Sequence, residues 1–251
     1  MRYLSLCAVI KNERPYLKEW IDFNLSQGFE HLYLYDNEST DKPQEIIQEY
    51  GEKITWHVTS GLKQQRVAYN HTITEYRKDS EFVAFLDADE FIFSTRDKRF
   101  VDTLRNKYDL PGISGIAVHW VLYGSSGHET YSPEPVTKRF TMRAATTNGH
   151  VKSVMRMADT YSMGLDPHSF RAHGMIIDEN FAVMPVDYAI TYPATSEILR
   201  INHMVTKSRE EYKERKKLND ANSGELKDFE KMWEAHNVNE IRDTKIWSVI
   251  E

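Results

Sequence analysis

EFVAFLDADEFIF, residues 81–93, is the stretch whose reading decides the fold. Phe82, Val83, Ala84, Phe85 and Leu86 form an unbroken apolar run, too short for an isolated helix. Such a run predicts a central strand buried on both faces, as in a mainly parallel sheet covered by helices. It ends in Asp87, Ala88, Asp89 and Glu90. Side chains two apart on an extended segment point the same way, which sends Asp87 and Asp89 to one spot beyond the strand. Ligands of open α/β sheets bind at that edge. Two carboxylates meeting there repel unless a cation or proton lies between them, and hard oxygen ligands select Mg2+ or Mn2+. The competing interpretation is a solvated turn. So apolar a strand sets the acids at the sheet's rim, and that favours the metal.

Upstream of this stretch the chain alternates strand and helix. Residues 3–10 read as a buried strand, with Cys7, the only cysteine, as a small core residue. Pro15 suits the first turn of a helix that Gly28 ends. Residues 31–35 (HLYLY) are a second strand, 53–58 a third, with a helix near Pro43 between them and another over 64–76. This order predicts an α/β fold with a doubly wound, mostly parallel sheet and helices on both faces. Polar residues gather after successive strands: Lys11, Asn12 and Glu13, then Asp36 to Asp41, then Asp87 to Glu90. In a parallel sheet the three groups line one crevice. Asp36 there either accepts hydrogen bonds from a base or ribose, or caps its own loop; spacing does not choose. Neither GxGxxG nor a P-loop pattern occurs.

Composition narrows the function classes. A chain of 251 residues buries one sizeable core. Its 40% hydrophobic and 28% charged content is that of an ordinary globular domain. A formal net charge of −6 argues against nucleic acid as a partner. No apolar run is long enough to span a bilayer, and residues 1–13 lack a small-residue cleavage site, so they read as a strand rather than a signal peptide. With a single cysteine, this fits a cytoplasmic location.

CAVIKNERPYLKEWIDFNLSQGFEHLYLYDNESTD, then AYNH, then FLDADEFI, resembles the nucleotide-sugar-binding half of GT-A glycosyltransferases, most closely a family-92-like branch and its family-2 relatives. HWVLYGSSG, KRF, VKSV and INHMVTKS extend the resemblance to about residue 217. It implies residues 1–110 as the nucleotide-sugar half, 111–205 as the acceptor half, and 206–251 as a C-terminal helical segment. It further implies that Asp36 binds a uridine-type base, Lys11, Asn12 and Glu13 line the nucleotide pocket, and Arg66 and Asn70 approach the nucleotide-sugar. Asp87 and Asp89 would hold Mn2+ or Mg2+ against a diphosphate, with His203 returned late in the chain to the metal. The implied activity is transfer of a sugar, with inversion, from a UDP-sugar to a glycan hydroxyl; a lipid-linked glycan acceptor in cell-envelope polysaccharide synthesis is what the basic cluster near the chain's end would suit.

The remaining chain adds candidates. Gly124, Ser125 and Ser126 form a turn able to approach a sugar closely, beside Trp120, Tyr123 and Tyr131, whose faces suit a pyranose. A hydroxyl acceptor needs a base within hydrogen-bond reach. Glu129, Glu134, Asp166 and His168 all qualify, and the DPH turn gives Asp166 and His168 an edge. Lys152 meets either a phosphate or a salt-bridge partner. The histidines at 150, 168, 173 and 203 match no zinc pattern. Ser208 with Glu211 forms a capping box opening a helix over 208–218, whose Lys213, Arg215, Lys216 and Lys217 are a solvated face or a contact for anionic lipid. A linker is expected over 219–224. Two rivals keep the same acids: a metal-dependent phosphohydrolase, and a non-catalytic carbohydrate-binding protein of this fold.

Overall fold

A computed structural model describes residues 1–217 and 228–250, without the side chains of Lys216 and Lys217. The linker expected over 219–224 lies outside them. The first part of the chain runs β1 (Arg2–Ile10), α1 (Arg14–Ser26), β2 (His31–Asn37), α2 (Gln44–Ile47), β3 (Ile54–Thr59), α3 (Gln64–Glu75), β4 (Ser80–Phe85), β5 (Glu90–Ser94), α4 (Phe100–Thr103) and β6 (Ile113–Leu122). It continues through α5 (Val136–Arg139), β7 (Met142–Arg143), β8 (Asn148–Arg156), β9 (Thr160–Met163), β10 (Phe170–Ala172), β11 (Met175–Ile177) and β12 (Leu199–His203). The end comprises α6 (Arg209–Lys217), α7 (Phe229–His236), β13 (Ile241–Arg242) and α8 (Trp247–Ile250).

A nine-stranded sheet orders its strands β3-β2-β1-β4-β8-β6-β12-β5, with β11 also paired to β6. Strands β3, β2, β1 and β4 are mutually parallel, whereas β8 runs antiparallel to both β4 and β6, and β5 antiparallel to β12. The mixed α/β class with a mostly parallel sheet and a partly helical C-terminal segment is as the sequence predicts. The chain winds from β1 out to β3 and then returns to β4 on β1's other side. That reversal opens a crevice at the strands' carboxyl ends.

The apolar run of β4 is buried because two layers cover it. Leu4, Leu6, Phe82, Ala84 and Leu86 join a core with Leu17, Trp20 and Ile21 of α1 on one face. Cys7, Val83 and Phe85 meet Ala68, Tyr69 and Ile73 of α3 on the other. Fully burying one such large side chain contributes about 1.5–3 kcal/mol, so the sandwich fixes β4 and with it the acids that follow. Helix α1 stops at Gly28, whose φ of 94° suits glycine and where a Cβ would clash with Val101.

The acids leave the strand differently from the extended segment expected. Glu90 N–H donates to Asp87 O at 3.1 Å, closing a turn between β4 and β5. The strand pairing of β5 with β12 at the far end of the sheet requires the chain to swing away, and the turn accomplishes it. Asp87 and Asp89 are thus set by a turn, not by alternation along a strand.

Candidate functional site

The three polar groups predicted to share an edge do so, and hydrogen bonds stitch the first two together. Asn12 N–H donates to Ser39 Oγ at 2.9 Å, Thr40 N–H to Asn12 Oδ1 at 2.8 Å, and Arg14 N–H to Asp41 Oδ2 at 2.8 Å. Asp36 is buried and its Oδ1 accepts from Ser39 N–H at 3.0 Å, so in this structure its carboxylate caps its own loop. Lys11, Asn12 and Glu13 line a cavity of about 490 Å3 with Thr206, Lys207 and Arg215.

Three acids facing the crevice, Asp87, Asp89 and Glu13, carry a cation from a distant element. Asp87 Oδ1 pairs with Lys152 Nζ of β8 at 3.0 Å and accepts from Gln65 Nε2 of α3 at 2.5 Å. Asp89 Oδ2 pairs with Arg215 Nη1 of α6 at 2.5 Å and lies 3.4 Å from His203 Nε2 of β12. Glu13 Oε2 is 3.5 Å from Lys207 Nζ. Burial pushes Lys152 toward neutrality, but Asp87 and Glu90 outweigh it and hold the ammonium charged. Burial likewise opposes the Asp89 carboxylate, and Arg215, then His203, overcome that and hold its pKa well below the usual range. Glu90, fully buried with one oxygen accepting Asp87 N–H, is pushed well above the usual range by desolvation.

Next to the acids stands an aromatic cage. The Trp120 indole stacks on His150 at 5.0 Å between ring centroids and meets His168 and His203 edge-on at 5.1 and 4.4 Å. Strand pairing sets this: Trp120 of β6 lies opposite Ile201 of β12 and Asn148 of β8. His168 Nδ1 lies 2.7 Å from Val151 O, to which only a protonated nitrogen can donate. Its pKa is lowered to about 4 by burial, with Lys152 adding to the effect. Asp166 Oδ1 lies 3.6 Å from His168 Nε2 and also accepts His168 N–H, holding the turn.

Other predicted residues are used elsewhere. Arg66 Nη2 donates to Leu165 O, and Asn70 Oδ1 accepts Met163 N–H, so both tie α3 to the segment around β9. The backbone of the 124–126 turn faces the C-terminal segment: Ser125 and Ser126 N–H donate to Asn237 and Asn239 side chains, and a Cβ on Gly124 would strike Val238 O. Tyr123, expected near the surface, is buried and accepts from Arg200 at 2.9 Å. Arg215, grouped by sequence with a solvated basic face, is committed to Asp89 instead. Gln65, Lys207 and the pairing role of Arg215 were not legible as site features, and His150 was weighed only as a zinc ligand. For Arg215 a signal existed: Ser208, Glu211, Tyr212 and Arg215 follow helical spacing, and Tyr212 is buried.

Among the described residues no group of three or more His, Cys, Asp or Glu side chains is arranged to hold a metal ion. The donor chemistry nevertheless fits one. The contacts above fall on Oδ1 of Asp87 and Oδ2 of Asp89, leaving each carboxylate its other oxygen, and the His203 nitrogen that faces Asp89 is Nε2. Among the described residues no helix is long and apolar enough to cross a membrane.

Comparison with known proteins follows the same line. A glycosyltransferase family 92 protein of Oryza sativa subsp. japonica is 28% identical over 156 residues, 61% of this chain and 26% of that protein. One of Arabidopsis thaliana is 30% identical over 166 residues, 61% of this chain and 28% of that protein. The chain thus spans less than a third of the length of these relatives. Among solved structures, S. aureus TarS 1–349 in complex with UDP aligns with a TM-score of 0.41 and 18% identity, covering 62% of this chain and 47% of that one. Glucosyl-3-phosphoglycerate synthase from Mycobacterium tuberculosis, in complex with Mn2+, UDP and glucosyl-3-phosphoglycerate, aligns with a TM-score of 0.36 and 13% identity over 62% of this chain and 57% of that one. Neither likeness is close enough to add to what the strand order already provides. The family 92 profile matches residues 4–250, which takes in every strand and every acid of the crevice. By that match the chain belongs to glycosyltransferase family 92.

Proposed function

We propose that this chain is a glycosyltransferase domain that moves a sugar, with inversion, from a nucleotide diphospho-sugar, a UDP-sugar in our reading, to a glycan hydroxyl. The observation that carries it is the crevice at the switch between β1 and β4. There two carboxylates, Asp87 and Asp89, follow the buried apolar run Phe82 to Leu86, balanced by cations from β8 and α6. Family membership supports the same activity.

Asp87, Asp89 and His203 are the residues that would hold Mn2+ or Mg2+, which when bound supplies neutralisation of charge on a departing diphosphate. The chain's own groups do the rest. Lys152 pairs with Asp87 and orients its carboxylate. Lys11, Asn12 and Glu13 border the cavity for the nucleotide, and Asp36 lies in the loop stitched to them, where it meets the base only by yielding Ser39. Trp120, stacked among three imidazoles, offers the acceptor sugar an apolar wall. His168 takes the proton from the attacking hydroxyl: its Nδ1 is tied to Val151 O, so the lone pair is on Nε2, and a pKa of about 4 leaves the ring neutral at pH 7. Asp166, 3.6 Å from that nitrogen, pairs with the imidazolium formed. The turn at Gly124, Ser125 and Ser126 supports the acceptor side indirectly, through its anchorage to the C-terminal segment.

Mass-spectrometric screening of nucleotide-sugars with simple glycan acceptors tests the reading. A gain of one sugar in the acceptor, abolished by Asp89→Ala in a variant of unchanged circular dichroism, is expected. Phosphate release with no glycosylated product would point to a phosphohydrolase. Absence of both, with sugar binding retained, would point to a carbohydrate-binding protein.

A further inference from the structure

Among the described residues three Lys or Arg ion pairs cross the crevice, and they are not equivalent. Lys152, on Asp87, is buried on a strand, and Lys207, on Glu13, is buried with its ammonium 4.2 Å from the centre of the Tyr16 ring. Arg215 is different. Its side chain is 40% exposed, while the Asp89 carboxylate it grips is 2% exposed. It reaches Asp89 from α6, an element outside the sheet, and Glu13 and Asp87 are among its other charged neighbours. The Arg215 guanidinium therefore covers, from the solvent side, a carboxylate proposed above as a cation ligand.

A guanidinium and a divalent cation sharing one carboxylate repel each other, so each weakens the other's hold on it. A guanidinium also matches the paired oxygens of a phosphate as well as it matches a carboxylate. We propose that Arg215 is a ligand for the donor's diphosphate that is held on Asp89 until the donor arrives, so that Arg215 and the divalent cation compete for Asp89 in the nucleotide-free chain. This rests on the nucleotide-diphosphate reading of the crevice. On binding, the partners exchange: the diphosphate takes the place of Asp89 on Arg215, and the cation takes the place of Arg215 on Asp89. Charge stays balanced throughout, since an anionic diphosphate and its cation enter together. Nucleotide and metal then bind with positive coupling, each removing the obstacle to the other.

The test is binding of Mn2+ alone, followed by the electron spin resonance of the free ion, and of UDP and uridine by calorimetry in saturating Mn2+. It compares the wild-type chain with Arg215→Gln and Arg215→Lys. Arg215→Gln should tighten Mn2+ alone by at least about tenfold, because Asp89 is released. The same variant should weaken UDP by about tenfold to a hundredfold, the loss of a charged hydrogen-bonding partner, and leave uridine unchanged. Arg215→Lys, which keeps the charge and loses the fork, should leave Mn2+ alone weak and bind UDP between the other two; it also keeps the test decisive should Arg215→Gln fold poorly. The opposite signs separate this role from a structural one, which would weaken both ligands. Unchanged or weaker Mn2+ binding in Arg215→Gln, or UDP affinity equal to wild type, overturns the proposal alone. A wild-type chain that binds Mn2+ but no UDP overturns the nucleotide reading and the proposal with it.

Discussion

The residues of the crevice hold charge at the limit of what burial allows. Lys152 is 1% exposed between Asp87 and Glu90, and its ammonium is the group that keeps this corner from accumulating uncompensated negative charge. Removing one partner of a buried pair costs about 3–5 kcal/mol, and the 28% exposure of Asp87 lets water recover part of that. Lys152→Met should therefore lose about 2–3 kcal/mol in urea unfolding; a loss below about 1 kcal/mol would show that the pair is ornamental. At this scale the sequence revealed half of the site. Asp87 and Asp89 stood out because three acids follow an apolar run. Of their partners, Lys152 and His203 were singled out as well, but Arg215 was not, since an arginine on a charged helix looks like a solvated residue until a third dimension brings it to the acids. Asp36 and Asn70 illustrate the reverse: polar residues after strands and on helix faces, yet both hold backbone N–H groups.

Elements late in the chain are fastened to the sheet by buried charge. Arg200 of β12 is 1% exposed; it reaches Asp243 at 3.0 Å, Tyr123 Oη at 2.9 Å and Asn202 Oδ1 at 2.8 Å. Burial alone would raise the Asp243 carboxyl, but Arg200 and Arg143 reverse that and hold it at about 2. Arg200→Ala strands this carboxylate and should cost about 3–5 kcal/mol, with hydrogen exchange rising first across β13 and α8. Global destabilisation with those amides still protected would contradict the fastening role. The start of α6 is a second anchor: Ser208 N–H donates to Glu211 Oε2 at 3.0 Å and Glu211 N–H to Ser208 Oγ at 3.3 Å, the predicted capping box. Glu211 also takes both Arg139 Nη groups at 3.0 Å. Ser208→Ala should lower the unfolding free energy by about 1 kcal/mol and, by loosening α6, weaken the Arg215 contact with Asp89. The cap was legible because its spacing is local. The Arg200 network was not, because it joins positions more than forty residues apart.

Over the whole molecule, the fold was readable where burial alternates with polar breaks and obscure where it does not. Strands β1 to β4 were found from apolar runs and their caps; β8, whose antiparallel insertion between β4 and β6 breaks the parallel order, carries no such mark. Acid should unfold the protein partly through buried imidazoles. His31 is 3% exposed and burial, then Arg2, lowers its pKa from 6.5 to about 4, as burial and Lys152 do for His168. Between those values the unfolded chain binds protons that the folded chain refuses, so stability is full above about pH 6.5 and falls as pH drops toward 4. The unfolding midpoint should show that slope, and His31→Gln should flatten it; a slope unchanged by His31→Gln would contradict this. All of the functional account depends on where a cation and a nucleotide settle. Anomalous diffraction at the manganese edge, from crystals grown with UDP and Mn2+, tests that directly. The account predicts a peak about 2.1 Å from oxygens of both Asp87 and Asp89, with the diphosphate beside it; a peak away from those two side chains would contradict it.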